Sequence, residues 1–487
     1  MEAGDGGPDV RASVAPLVLV GTLALSLGWQ GAYYLGGQVV LGSGLLATAA
    51  LTLLDGERRL LWRVASPEGC LATLALWAVV NAVLHGAGRA AGGVAMLVGA
   101  VVVTMVAVRR FDLADRAVLV EALPVVGGLV ALSGWLGLIR RAPGWSQEAD
   151  DLWRAAGSLS YSNALAAVLA MLTVLAMARL AHPGGGPGAG TGALVPSAVL
   201  SLIAAFMLTV TLATLSRAGL VALAAGLLVV LRGGWPAARA AAGPLAGAAI
   251  AFAALIPSLP ATGGPRPVLA TAGLLTGGAA CAVVRRFAVR SPSLPRVPLA
   301  GPALVGSLVL GAAALTITVG PTLAHIAATR LGSSSNYRAP AAQAALAAWA
   351  RRPMEGLGPG GATASWQDGT GALITLRYLH NEYLQVLVEL GIVGALLLSA
   401  TAVAAIIEAR DARALDRWGL RLAGMAALSA FAVSSGLDIA WHVPAVPALA
   451  ASIYAASLTP DSIRRSPVDR APWMVASQST TGKDHDA

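Results

Sequence analysis

The chain has 487 residues, 56% of them hydrophobic and 12% charged, with 33 basic residues against 24 acidic ones and a formal net charge of +9. That much apolar surface cannot be hidden in one soluble core, so the excess must face lipid and the chain reads as a polytopic membrane protein. The basic balance does not point to nucleic acid, because the arginines sit in short segments between apolar runs, where they orient helices and meet anionic headgroups. Cys70 and Cys281 stand far apart, next to or within apolar runs, and give neither a disulfide framework nor a metal-ligand spacing.

Residues 1–12 carry Glu2, Asp5 and Asp9 against Arg11, a poor start for a cleaved signal peptide, so the first apolar run is expected to stay as an anchor. Membrane helices are expected at about 13–32, 38–54, 69–85, 90–108, 117–139, 161–178, 196–215, 218–231, 242–258, 267–284, 299–319, 384–407, 419–437 and 443–458. With the N-terminus in the cytoplasm, 22 of the 33 basic residues fall inside and 11 outside, as the positive-inside bias requires. The segment 140–160 mixes Arg140, Arg141 and Arg154 with Trp145, Glu148, Asp150, Asp151 and Trp153, and is read as a short amphipathic segment at the outer interface. Gly and Pro make 182–192 a flexible cytoplasmic connection.

The longest loop, 320–383, is placed outside. Within it 338–352 has helix-forming composition and is expected to lie as a helix on the outer surface. Gly356, Gly358, Gly360 and Gly361 follow. Their amides either cradle an anionic phosphate or form a plain turn, and with no Lys-Ser/Thr after them they are not a nucleotide P-loop. The stretch HNEYLQVLVELGIVGALLL from His380 then enters a membrane helix through His380, Asn381 and Glu382, with Gln385 and Glu389 in its first turns. Ionisable groups at bilayer depth cost about 2.5–3.5 kcal/mol on insertion scales, so they face a bundle interior or a water-filled site, or else anchor the helix at the interface. The expected fold is an all-α polytopic membrane helix bundle of about fourteen (12 to 14) spans with one large, partly helical external loop. Residues 1–458 form a single integral membrane domain and 459–487 a polar cytoplasmic tail expected to be disordered.

Five features together resemble the bacterial O-antigen ligase and O-antigen polymerase superfamily, over about 150–458. They are SLSYSNALA at 158–166, Ser216-Arg217-Ala218-Gly219, Arg338 with the run GLGPGG, His380-Asn381-Glu382-Tyr383-Leu384-Gln385 with Glu389, Gly391 and Gly394, and Asp438 with His442-Val443-Pro444-Ala445. The resemblance implies a GT-C-type membrane glycosyltransferase that moves a glycan from a polyprenyl-pyrophosphate carrier to an acceptor hydroxyl on a glycan, lipid or protein. It also implies a multi-pass place in the bacterial cytoplasmic membrane, with the site facing the periplasm or exterior.

Arginines suit such a donor, since guanidinium forks hold phosphate oxygens bidentately; Arg217, between two apolar runs, and Arg338 are the candidates. His380 is the candidate base, because imidazole as a side-chain type exchanges its proton near neutral pH, and Asp438 or His442 is a secondary candidate for that work. Ser216, Asn381, Glu382, Gly358, Gly360, Asp438 and His442 complete the expected substrate-binding set. The remaining histidines are read as plain polar residues. No cofactor is expected. Metal dependence is disfavoured because the first outer connection, 33–38, has no carboxylate, although Asp150 and Asp151 could be argued for a cation. A polysaccharide polymerase with the same donor chemistry, and a transporter or exporter of a lipid-linked glycan, remain as alternatives.

Overall fold

The computed structural model describes residues 13–54, 65–182, 195–290, 337–367, 371–411 and 419–458, with 320, 322, 324–326 and 328. The expected helix at 299–319, residues 183–192 of the expected connection and the polar tail lie outside the described residues. The structure is an all-α polytopic bundle. Its helices are α1 (Ala15–Gly28), α2 (Leu35–Leu54), α3 (Pro67–Leu84), α4 (Gly88–Arg109), α5 (Leu113–Arg140), α6 (Ser162–Ala181), α7 (Ser197–Ala213), α8 (Arg217–Leu231), α9 (Trp235–Leu255), α10 (Pro267–Arg290), α11 (Arg338–Trp349), α12 (Glu382–Asp411), α13 (Leu420–Leu437) and α14 (Ala445–Ser457). Among the described residues nine helices are long and apolar enough to cross a membrane, and α1, α7, α8 and α14 are shorter apolar helices. Together they account for every expected span except 299–319.

Helix starts follow local chemistry. Ser66 accepts from Gly69 N with Pro67 in the first turn of α3, Asp112 accepts from Asp115 N at α5, and Ser216 accepts from Gly219 N at α8. The most enclosed helix is α6, an Ala/Leu/Met run packed by α5, α7, α8 and α13, so its first turn is fixed from several sides. At the end of the bundle away from the long loop, Arg109 bridges Glu68 and Glu408, the latter through Nη1 and Nη2 at 2.6 and 2.7 Å, and Tyr454 donates to Glu408 at 2.9 Å. This clasp ties α3, α4, α12 and α14 and pairs charges that would be costly alone in lipid.

Residues 140–160 differ from the amphipathic segment expected of them. They form a hairpin, β1 (Ser146–Ala149) and β2 (Leu152–Ala155), in which Ser146 faces Ala155 and Gln147 faces Arg154. Asp150 and Asp151 make the two-residue turn with φ of 54° and 57°, a left-handed geometry that Asp tolerates. The hairpin packs inward: Leu152 and Ala155 are fully buried, and Trp153 N donates to Leu259 O at 2.7 Å.

In the long loop the expected surface helix is α11. A second hairpin, not anticipated, follows it: β3 (Ala364–Gln367) against β4 (Leu373–Leu376). Ala341, Ala345, Ala362, Ala364, Leu379 and Val388 form a small core that joins α11 and this hairpin to α12. Helix α12 itself breaks at Gly391, where φ is 68° and ψ −169°. The glycine-rich loop fills the break: Leu357 N and Gly358 N donate to Val388 O and Glu389 O at 2.9 and 3.0 Å, Ile392 N donates to Pro353 O at 2.9 Å, and Trp77 Nε1 takes Leu390 O at 2.9 Å. Irregular backbone inside a membrane bundle survives only where protein satisfies it in this way.

Candidate active site

The site gathers on Asp438, the residue that ends α13. Its buried carboxylate accepts from Tyr161 Oη at 2.7 Å, His380 Nδ1 at 3.0 Å and its neighbour Ile439 N at 2.8 Å through Oδ1, and from Arg338 Nη2 at 3.3 Å and Asn163 Nδ2 through Oδ2. Burial alone would raise its pKa, but the bond and charge of His380, the Tyr161 hydroxyl and the Ile439 amide outweigh it and hold the carboxyl below its ordinary range. Burial, then the adjacent Asp438 charge, pushes Tyr161 well above the usual phenol range, so it stays a neutral donor. Arg338, at the start of α11, also donates Nη1 to Leu437 O at 2.8 Å, while its side chain remains 37% exposed.

His380 has a left-handed backbone, φ 52°, a strained geometry for a residue with a Cβ. With Nδ1 engaged by Asp438, Nε2 has no protein partner among the described residues and the side chain is 27% exposed. This is the dyad arrangement in which a carboxylate fixes the tautomer and leaves the second nitrogen to accept a proton. His442 is held otherwise. Its Nδ1 lies 3.2 Å from Glu382 Oε1, its Nε2 lies 3.4 Å from Gln385 Nε2, and its ring packs on Tyr378 with centroids 4.1 Å apart. Glu382, itself buried, also takes Trp441 N at 2.7 Å. Asn381 Oδ1 accepts from Leu384 N at 3.0 Å and so caps α12. Tyr378, half-buried beside Tyr33, is pushed up to about 12, by burial first and then by the bond with Tyr33.

Arg217 opens α8 directly after Ser216, whose buried hydroxyl is spent on Gly219 N at 3.1 Å. A Cβ on Gly219 would overlap that of Ala166, so the first turn of α8 lies against the first turns of α6, at the Asn163 end. The amides of Gly358 and Gly360 are engaged as well: Gly358 N bonds Glu389 O, and Gly360 N with Ala362 N serves the Glu389 carboxylate. The glycine run therefore braces α12 with the very amides that a phosphate cradle would have used.

Residues 268–399 match the family model described as O-antigen ligase. The match covers about a quarter of the chain, and over that segment it supports the likeness to the O-antigen ligase/polymerase superfamily. Among curated proteins no match to the chain is found.

The ligase-family segment holds Arg338, Gly358, Gly360, His380, Asn381 and Glu382, while Ser216, Arg217, Asp438 and His442 come from outside it. The fold brings Asp438 to Arg338 and His380, and His442 to Glu382. Three contributors escaped the sequence reading of the site: Tyr161, Asn163 and Arg154. Tyr161 and Asn163 had a signal, the SYSN run at the start of α6; Arg154, on strand β2 of a hairpin that the sequence did not announce, had none. Beside Trp441, between α3, α4, α12, α13 and α14, lies an apolar cavity of about 200 Å³ lined by Leu71, Leu74, Leu428, Phe431 and Ala451 among others.

Proposed function

We propose that the protein is an O-antigen ligase-type glycosyltransferase that moves a glycan from a polyprenyl-pyrophosphate carrier to an acceptor hydroxyl at the outer face of the cytoplasmic membrane, without a metal ion. The observation that carries this reading is the His380–Asp438 dyad with Nε2 of His380 open, set beside the exposed guanidinium of Arg338.

His380 Nε2 takes the proton of the acceptor hydroxyl as its oxygen attacks the anomeric carbon. The bond from that carbon to the pyrophosphate oxygen breaks, and the electron pair leaves with the polyprenyl pyrophosphate. No general acid is needed, because the leaving group is already a weak base. Arg338 and Arg217 receive the phosphate charge, and Asp438 stabilises the imidazolium while the proton is held. The apolar cavity next to Trp441 suits a hydrocarbon chain rather than a sugar. His442, with both ring nitrogens occupied, positions the start of α12 rather than serving as the base.

The test is release of undecaprenyl pyrophosphate from a defined lipid-linked oligosaccharide, with the host's membrane extract as acceptor source. Wild type should turn over with EDTA present. Arg217→Lys and Arg338→Lys should lose most activity at equal membrane abundance, because charge is kept and the planar fork is lost. His380→Ala should spare undecaprenyl pyrophosphate binding and lower turnover by about 10²- to 10⁴-fold. A transporter would release no pyrophosphate carrier with any variant, and that outcome would remove the transferase reading.

A further inference from the structure

Opposite residues of an antiparallel hairpin share one face, and on the β1–β2 hairpin Gln147 and Arg154 are such a pair. Both reach the first turn of α6. Gln147 Oε1 accepts from Ser162 N at 3.1 Å and Ser162 Oγ at 2.8 Å, while its Nε2 donates to Ser160 O at 3.0 Å. Arg154 reaches further, with two arms of its guanidinium in two directions. Nη2 donates to Asn163 Oδ1 at 2.9 Å, and Nε donates to Thr214 O at 2.8 Å, just ahead of Ser216 and Arg217.

The first of these bonds has a chemical consequence beyond itself. Arginine has no acceptor, so the Asn163 atom that faces it must be the carbonyl oxygen. The amide nitrogen is then turned to the other side, where it donates to Asp438 Oδ2 and to Tyr161 Oη at 3.0 Å. Tyr161, its lone pair used, donates to Asp438 Oδ1, the same oxygen that holds His380 Nδ1. With Arg154 gone, the Asn163 amide is free to turn its oxygen toward a carboxylate, which repels it.

We propose that Arg154 is a positioning residue for the transfer reaction: through Asn163 it fixes Asp438 and hence the His380 dyad, and through Thr214 O it holds the turn that carries Arg217. One side chain then keeps the base and the cationic turn in register. The role rests on the transferase reading above. It needs a fork rather than a charge, since lysine carries all its donors on a single nitrogen and lacks the separated Nε and Nη2 that reach Thr214 O and Asn163 Oδ1.

The full-length protein is assayed with a defined undecaprenyl-pyrophosphate-linked oligosaccharide and the host's membrane extract. Arg154→Lys and Arg154→Met should each lower kcat by about tenfold to a hundredfold, the scale of a misplaced catalytic group, and change the donor KM by less than about threefold. In an Asn163→Ala background, Arg154→Met should slow the enzyme by less than it slows wild type, because the Asn163 arm is already lost and only the Thr214 arm remains to be removed. Glu148→Gln, exposed on the same hairpin, should leave the rate unchanged. Asn163→Asp keeps the Arg154 contact but sets a second carboxylate against Asp438, and it should be severely slowed whether or not the Arg154 variants accumulate.

A raised donor KM with kcat preserved would make Arg154 a phosphate ligand and overturn the positioning role. So would additive losses in the double variant, wild-type activity in Arg154→Lys, or wild-type kcat in Asn163→Asp. Absence of release by wild type overturns the transferase reading itself and this role with it; release by wild type with unaffected variants overturns the role of Arg154 alone.

Discussion

A carboxylate that accepts five hydrogen bonds is an unusual load for one side chain, and at Asp438 it separates orientation from charge. Asp438→Asn keeps the size but puts an NH₂ where donors converge, so His380 loses its anchor or adopts the other tautomer. Turnover should fall by about 10²- to 10⁴-fold while undecaprenyl pyrophosphate still binds, measured by release kinetics against equilibrium binding. The pH dependence has a fixed sign. Because the folded-state pKa of Asp438 is depressed, its contribution to stability is present above the unfolded value of about 3.9 and is lost as pH falls through the folded value. The pairing of histidines was half legible in the sequence. His380 and His442 both announced themselves as polar residues at helix ends, but only the contacts show that Glu382 and Gln385 occupy His442 while His380 keeps Nε2 open.

At the scale of elements, apolar runs made the spans readable because a membrane helix must be apolar over its length whatever it packs against. The two hairpins and the break in α12 were not readable, since their backbone bonds depend on partners distant in sequence: Leu259 for β2, Pro353 and Trp77 for the break. The glycine run had two readings, phosphate cradle or turn, and its amides are spent within the protein. Gly391 holds a φ/ψ pair that is essentially restricted to glycine, and a Cβ there would overlap Met354 O, while one on Gly356 would lie 2.6 Å from Gly391 N. Gly391→Ala should therefore cost about 1–3 kcal/mol from backbone strain alone, with more from the displaced loop, seen as a lowered Tm in detergent. The loop carries α11 as well as the brace, so Arg338 should lose its place and activity should fall with stability. An unchanged Tm would mean that the break is not held as described.

Across the whole molecule the described arginines divide between two ends. Arg109, Arg110, Arg116, Arg179, Arg232, Arg239, Arg285, Arg286, Arg410 and Arg421 lie at the end away from the long loop, and the site lies at the other. This distribution follows from helices that alternate in direction between short connections, so a partition read from sequence becomes a geometric one once the helices are packed. On the positive-inside bias we propose that the arginine-rich end lies in the cytoplasm and that Asp438, His380, Arg338 and Arg217 face outward, where a lipid-linked glycan and its acceptor would meet. Long loops escape that bias, so Arg351, Arg352 and Arg377 do not weigh against it. Leu373, 70% exposed on β4, offers a direct test. In a background with Cys70→Ser and Cys281→Ala, Leu373→Cys should react with a membrane-impermeant maleimide in intact spheroplasts. A cysteine at Arg232, at the opposite end between α8 and α9, should react only after permeabilisation. The reverse pattern would place the site in the cytoplasm, and a transferase working there would draw its carrier from the inner leaflet instead.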